Sequence, residues 1–215
     1  MDKRNADKKL ELLIEVSRRA YEKGFTSGSG GNVSIRDGDI FYISSTGTCL
    51  GNLHKDSFTC MDLDGNILSG PKPSKEFTLH MECYKRRQEV QCIFHLHPIY
   101  TIAAGCREGI DPSCGLPVYT PGYALRVNAI PVIPYFRPGS QELAKETAKV
   151  LETCDSALLK NHGVIVVGQQ PESVFGLIEE IEENAHIALL LGDSGNPMTE
   201  SQIREIRDWG GANGK

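Results

Sequence analysis

The sequence predicts an α/β fold in which a mainly antiparallel sheet is flanked by amphipathic helices. Three observations carry this expectation. The 215 residues suffice for one domain with a substantial core. Turns at Asp37-Gly38, Asp64-Gly65 and Asn161-His162-Gly163 join apolar runs through connections too short for a helical crossover, so the strands they link are antiparallel. Other segments carry apolar residues at helical spacing.

Residues 6–23 place Leu10, Leu13, Ile14 and Tyr21 at helical spacing, and Gly24 supplies the stop. The loop Thr26-Ser27-Gly28-Ser29-Gly30-Gly31-Asn32 then runs into the short strand Val33-Ser34-Ile35. Alone, such a loop reads as an ordinary turn, although glycines also let backbone N–H groups converge on an anion. Residues 40–43 form the partner strand, and a second small polar loop, Ser44-Ser45-Thr46-Gly47-Thr48, follows. A further hairpin joins Cys60-Met61 to Ile67-Leu68.

The third loop, Gly70-Pro71-Lys72-Pro73-Ser74-Lys75-Glu76, feeds a helix over residues 75–87 with Phe77, His80, Met81 and Tyr84 as its stripe. Ser74 is expected as its N-cap and Glu76 as a first-turn acid complementing the helix dipole. Residues 90–94 read as a buried strand and 99–104 as a helix, whereas 119–126 carry no clear pattern. Residues 129–135, broken by Pro131 and Pro134, read as an edge strand. Ser140 opens a helix over 141–151, and residues 156–160 and 164–167 are buried strands on either side of Asn161-His162-Gly163. Pro171 opens a long helix over 172–191, with Val174, Leu177, Ile178, Ile181, Ala185 and Leu189 opposite acids at 179, 180, 182 and 183. A last helix is expected over 199–207, then a disordered tail, 209–215, ending a single domain of residues 1–215. No repeat or linker divides the chain.

Composition narrows the function. A net charge of −5, with only short basic clusters such as Lys85-Arg86-Arg87, gives no footprint for nucleic acid. No apolar run is long enough to cross a bilayer and no signal-peptide core follows the charged N-terminus, so a cytoplasmic protein is expected. Seven cysteines without a C-x-x-C pair argue against a disulfide framework or a zinc knuckle and read mostly as buried thiols.

The chemistry concentrates at Phe94-His95-Leu96-His97-Pro98. Alternate residues of a strand share a face, so His95 and His97 project together. Two adjacent imidazoles can grip a metal, bind an anion when protonated, or share a proton. His162 alone, at a turn, reads as an exposed residue, and His54, His80 and His186 as structural or surface residues. Together, His95, His97, His162 and the Glu76 carboxylate would complete a four-coordinate site for zinc or a similar divalent ion. The three small polar loops add N–H groups, hydroxyls and the Lys75 ammonium, which suit a phosphate ester. Metal beside phosphate points to metal-assisted chemistry on a small phosphorylated carbonyl compound.

Five motifs in order, Gly30-Gly31-Asn32-Val33-Ser34, Ser45-Thr46-Gly47, Pro73-Ser74-Lys75-Glu76, His95-Leu96-His97 and Asn161-His162-Gly163, resemble the class II aldolase/adducin family over residues 21–191. The resemblance implies a three-layer α/β/α sandwich around a mainly antiparallel sheet, and a homotetramer with active sites at subunit interfaces. It implies Zn2+, with Mn2+ or Co2+ as alternatives, on His95, His97, His162 and Glu76, with Glu76 also the catalytic acid/base. It implies a phosphate site of Gly31, Asn32, Thr46, Gly47, Ser74 and Lys75. Family aldolases usually read P-S-S-E where this chain has Pro73-Ser74-Lys75-Glu76, and their mobile catalytic tyrosine falls near Thr120, with Tyr119 and Tyr123 as neighbours. Tyr119-Thr120-Pro121, Ala124-Leu125-Arg126-Val127 and Ile133-Pro134-Tyr135-Phe136-Arg137-Pro138-Gly139 instead resemble the family branch that decarboxylates 3-oxo-tetronate 4-phosphate.

The activity so implied is decarboxylation to dihydroxyacetone phosphate and CO2 through a metal-bound enediolate, with Arg126 or Arg137 receiving the substrate carboxylate. Each arginine reads equally as half of a surface ion pair. The alternatives are a zinc aldolase cleaving a ketose 1-phosphate to dihydroxyacetone phosphate and an aldehyde, a pentulose-phosphate 4-epimerase, and, in a different class, a non-catalytic adducin-like interaction module.

Overall fold

A computed structural model describes residues 3–127 and 129–213. The amphipathic first segment forms α1 (Lys3–Glu22), and Gly24, at φ +77°, turns the chain out of it. The first hairpin is β1 (Asn32–Asp37) and β2 (Ile40–Ser44), and the second is β3 (Phe58–Asp62) and β4 (Ile67–Ser69). There follow α2 (Phe77–Arg86), β5 (Cys92–Leu96), α3 (Ile99–Gly105), α4 (Pro121–Arg126) and β6 (Val132–Ile133). The chain closes with α5 (Gln141–Val150), β7 (Ser156–Leu159), β8 (Gly163–Gly168), α6 (Pro171–Leu191) and α7 (Glu200–Asn213).

The eight strands form one sheet in the order β4-β3-β2-β1-β5-β8-β7-β6. Every pairing is antiparallel except β6 with β7. β6 is the edge strand its prolines require, but only two residues long. The strand period sorts β5 between two cores. Cys92, Phe94 and Leu96 face Leu10, Leu13 and Val16 of α1 and Val174, Phe175 and Ile178 of α6. Ile93 faces the other way, with Ile165 and Val167, onto Leu79 and Tyr84 of α2 and Leu143 of α5. The result is a three-layer α/β/α sandwich. Among the described residues no helix is long and apolar enough to cross a membrane.

Several expectations are corrected. Helix α2 starts at Phe77, with Glu76 at the N-cap position; Ser74 stays in the preceding turn, where its Oγ accepts from the Glu76 N–H at 3.3 Å. The bridge between Ser45 and Pro73 keeps the chain extended there and delays the helix. Residues 121–126, unread in the sequence, are helical because Pro121 sits at N1 and Thr120 Oγ1 accepts from Tyr123 N–H. Helix α7 runs on through residues 209–213, where a disordered tail was expected; Gly214 and Lys215 lie outside the described residues. Only Cys60, Cys83 and Cys92 are buried, so the thiols are not mostly interior. Glu182, assigned to a solvated helix face, is buried and accepts from Tyr100 N–H, Thr101 N–H and the Thr101 hydroxyl. It thereby satisfies first-turn donors of α3.

Candidate metal centre and active site

β5 delivers His95 and His97 to one face of the sheet, as the strand period requires. The neighbouring strand β8 begins at the β7–β8 turn, where Asn161 takes φ +58° and His162 follows. The β5–β8 register sets Leu96 opposite Val164, which brings that turn beside His97. His97 Nε2 lies 3.1 Å and His162 Nε2 3.2 Å from His95 Nε2. Glu76 Oε2 is 3.2 Å from His95 Nε2, and its Oε1 is 3.5 Å from His162 Nε2.

Glycine makes this convergence possible. A Cβ on Gly163 would meet the Leu96 carbonyl oxygen at 2.4 Å and His97 Cδ2 at 2.7 Å, and one on Gly31 would meet the His95 carbonyl oxygen at 2.7 Å. Gly31 also takes φ +73°, which only glycine adopts freely.

The donor set fits a divalent cation. His95 Nδ1 lies 3.0 Å from the Val164 carbonyl oxygen, which can only accept, so Nδ1 carries a proton and Nε2 turns toward the other rings. Zinc bound tetrahedrally at about 2.0–2.1 Å separates imidazole nitrogens by roughly 3.3 Å, close to the spacings present. Burial and then the charge of His95 push His97 down to about 3 and His162 down to about 4, so both rings are neutral at pH 7 and offer lone pairs. Burial pushes His95 down as well, but the Glu76 charge, its hydrogen bond and the Val164 carbonyl outweigh it and raise that ring. Burial raises Glu76, yet the His95 charge and hydrogen bond, the His162 charge and the Asn32 amide together hold its carboxyl well below the ordinary range. Glu76 Oε1 and His162 Nδ1 are buried without a hydrogen-bond partner.

The three small polar loops meet at this site. A cleft of about 430 Å³ is lined by Gly31, Asn32, Thr46, Gly47, Ser74, Lys75, Glu76 and His97. A bridge between Ser45 and Pro73 ties the second loop to the third. The N–H groups of Thr46 and Ser74 are already bonded to the Lys72 and Ser44 carbonyls, so these residues offer hydroxyls rather than amides. Asn32 lines the cleft, but its side chain turns inward to Glu76 and to His80.

Arg126 is not brought to this cleft. It lines a separate one with Glu179, Glu180 and His186, and its Nε lies 3.8 Å from Glu180 Oε1. Helix formation over 121–126 carries it there. Arg137 is exposed and precedes Pro138, which lines the metal-site cleft. Among the described residues no tyrosine lines that cleft: Tyr123 is fully buried and Tyr119 packs against Gly195. His80, expected as a structural or surface residue, is buried against Asn32 and Ser34; its i+4 spacing from Glu76 is the signal in the sequence that places it on this side of the helix.

Residues 11–189 match the Class II Aldolase and Adducin N-terminal domain family. The chain is 37% identical over 202 residues to 3-oxo-tetronate 4-phosphate decarboxylase of Haemophilus influenzae, covering 93% of this chain and 96% of that one. It is 37% identical over 179 residues to L-fuculose phosphate aldolase of Methanocaldococcus jannaschii, covering 83% and 94%. The crystal structure of Klebsiella pneumoniae YgbL superimposes with a TM-score of 0.88 at 32% identity, covering 94% of this chain and 98% of that one. Fold and sequence thus define a carbon–carbon lyase of the class II aldolase type. The chain belongs to the class II aldolase and adducin family.

Proposed function

We propose that this protein, as one domain of 215 residues, decarboxylates a 3-oxo-tetronate 4-phosphate to dihydroxyacetone phosphate and CO2. The observation that carries the reading is the convergence of three imidazole Nε2 atoms and the Glu76 carboxylate at the head of the cleft formed by the polar loops. His95, His97, His162 and Glu76 would hold Zn2+, Mn2+ or Co2+. Such an ion supplies Lewis acidity next to the C3 carbonyl, where negative charge develops as CO2 departs.

The chain's own groups account for the rest. The Thr46 and Ser74 hydroxyls, the Gly31 and Gly47 backbone and the Lys75 ammonium receive the 4-phosphate. Arg137, beside the mouth, receives the C1 carboxylate. The C1–C2 bond breaks, its electron pair passes into the C2–C3 enediolate, and CO2 leaves. Glu76 handles the proton, taking it from the C2 hydroxyl and returning one to carbon C2, with one proton drawn from solvent overall. Asn32 lines the same cleft beside Gly31, with its side chain bonded to Glu76 and His80.

Four copies with interfacial active sites, in the cytoplasm, complete the proposal. The exposed apolar residues Ile99, Leu190 and Trp209 supply surface for self-association. Retained metal ligands argue against an adducin-like interaction module, which has no physical need of them.

A ketose 1-phosphate aldolase is the second reading, favoured by the 37% identity to a fuculose phosphate aldolase. Product analysis separates them. Incubation with 3-oxo-tetronate 4-phosphate is expected to release CO2 and dihydroxyacetone phosphate in equal amounts. Release of an aldehyde from a ketose 1-phosphate, with no CO2 from the keto acid, would put the aldolase first.

A further inference from the structure

Five buried polar side chains run in a line from the interior of the sandwich to Glu76. Tyr84 Oη lies 2.7 Å from Ser34 Oγ, and Ser34 Oγ lies 2.7 Å from His80 Nδ1. His80 Nε2 lies 2.6 Å from Asn32 Oδ1, and Asn32 Nδ2 lies 2.9 Å from Glu76 Oε2. Tyr84, Ser34 and His80 are fully buried, and Asn32 and Glu76 nearly so.

The donors and acceptors fix the direction of this chain. An ionised carboxylate only accepts, so Asn32 must turn its amide N–H to Glu76 and its carbonyl oxygen away. That oxygen also only accepts, so His80 Nε2 must carry a proton. A neutral imidazole then has a bare Nδ1, which accepts from the Ser34 hydroxyl. Ser34 Oγ, having given its proton, accepts from Tyr84. Reversing any link sets two acceptors or two donors against each other in a buried layer, which leaves a desolvated polar group unpaired.

We propose that His80, backed by Ser34 and Tyr84 and acting through Asn32, is a positioning residue that pins Oε2 of Glu76 and leaves Oε1 as the oxygen that handles the proton. Oε1 is the carboxylate atom that is buried without a hydrogen-bond partner. Without His80 the buried Asn32 carbonyl oxygen loses its donor, so the amide is no longer held from behind and Oε2 of Glu76 is free to shift with it. A histidine that merely fills space would not explain the pairing. An apolar side chain would serve the helix stripe without burying two ring nitrogens that need partners. The inference rests on the reading of Glu76 as the proton handler.

The first test needs no substrate and no variant. 15N NMR of the imidazoles in full-length, zinc-loaded protein is expected to show His80 protonated at Nε2 and bare at Nδ1; a proton on Nδ1 overturns the relay. The second uses His80→Phe, which removes both ring nitrogens, and His80→Gln, whose amide supplies one donor and one acceptor. On 3-oxo-tetronate 4-phosphate, His80→Phe is expected to lower kcat about 10–100-fold with KM within about threefold, and His80→Gln to recover most of it. Equal loss in the two variants, or a loss in KM alone, overturns the positioning role. If wild-type enzyme turns over neither proposed substrate, the proposed reaction fails, and the NMR tautomer still decides the relay.

Discussion

Replacing Gly163 by alanine is expected to loosen the metal centre without touching a ligand. The new Cβ would stand 2.4 Å from the Leu96 carbonyl oxygen and 2.7 Å from His97 Cδ2. Real Cβ atoms do not come within 3.0 Å of such neighbours, so β5 and β8 must part by roughly 0.6 Å at this point. Each strand has a partner on its other side, β1 and β7, so neither can retreat without straining a second ladder. Overpacking of this kind costs about 1–3 kcal/mol. The displacement is also about three times the ~0.2 Å tolerance of a metal–ligand distance, so zinc affinity should fall about 10–100-fold. Urea denaturation measures the first effect, and zinc competition against a chelator of known affinity measures the second. Gly47→Ala is the control: its φ is +79° but nothing lies within 4 Å of the Cβ. It should lose about 1–2 kcal/mol of backbone energy and leave metal affinity unchanged. A Gly163→Ala protein with wild-type stability and wild-type zinc affinity would refute the view that close strand approach builds the site.

Glu76→Gln should still bind one divalent ion through the three imidazoles but lose turnover by at least about 100-fold; wild-type-like kcat removes Glu76 from the mechanism. Exchanging Leu96 and His97 moves an imidazole into the α1–α6 core and a leucine to the metal face, so metal analysis should find no stoichiometric ion. Burial, ahead of the charge of His95, pushes His80 down to about 3 from 6.5. The unfolded chain therefore takes up this proton between those pH values while the folded chain does not. Stability should drop as pH falls below 6.5, by up to about 1.4 kcal/mol per pH unit from this group. Urea midpoints of metal-free protein between pH 7 and 5 should show a shallower slope for His80→Gln; identical slopes would contradict burial as the cause.

The hairpins were legible because turn chemistry is local. Asp37-Gly38 and Asp64-Gly65 need only glycine's tolerance of positive φ, and both glycines have it, at +66° and +89°. The amphipathic helices α1, α5 and α6 were legible for the same reason, since their apolar stripes follow from spacing alone. The pairing of His95 with His97 followed from the strand period. Other features depended on neighbours distant in sequence. Ser74 has the chemistry of a helix cap, but the bridge from Ser45 to Pro73 holds it in the preceding turn. Arg126 has the chemistry of a carboxylate clamp, but α4 directs it to Glu180.

What the sequence determined by itself is the set of chemical groups and their local projection: two imidazoles on one face of a strand, a third at a turn, a carboxylate at a helix start, and three loops rich in hydroxyls and glycine. These follow from backbone periods of 2.0 and 3.6 residues, which act over a few bonds. What only the tertiary structure decided is which partner each group meets. Asn32 and His80 lie 48 positions apart and His95 and His162 lie 67 apart, yet their atoms approach within 2.6 Å and 3.2 Å. Those distances are set by sheet register and by glycines that let β5 and β8 touch. Such contacts turn the Asn32 side chain inward to Glu76, and set a buried histidine on a helix stripe behind it.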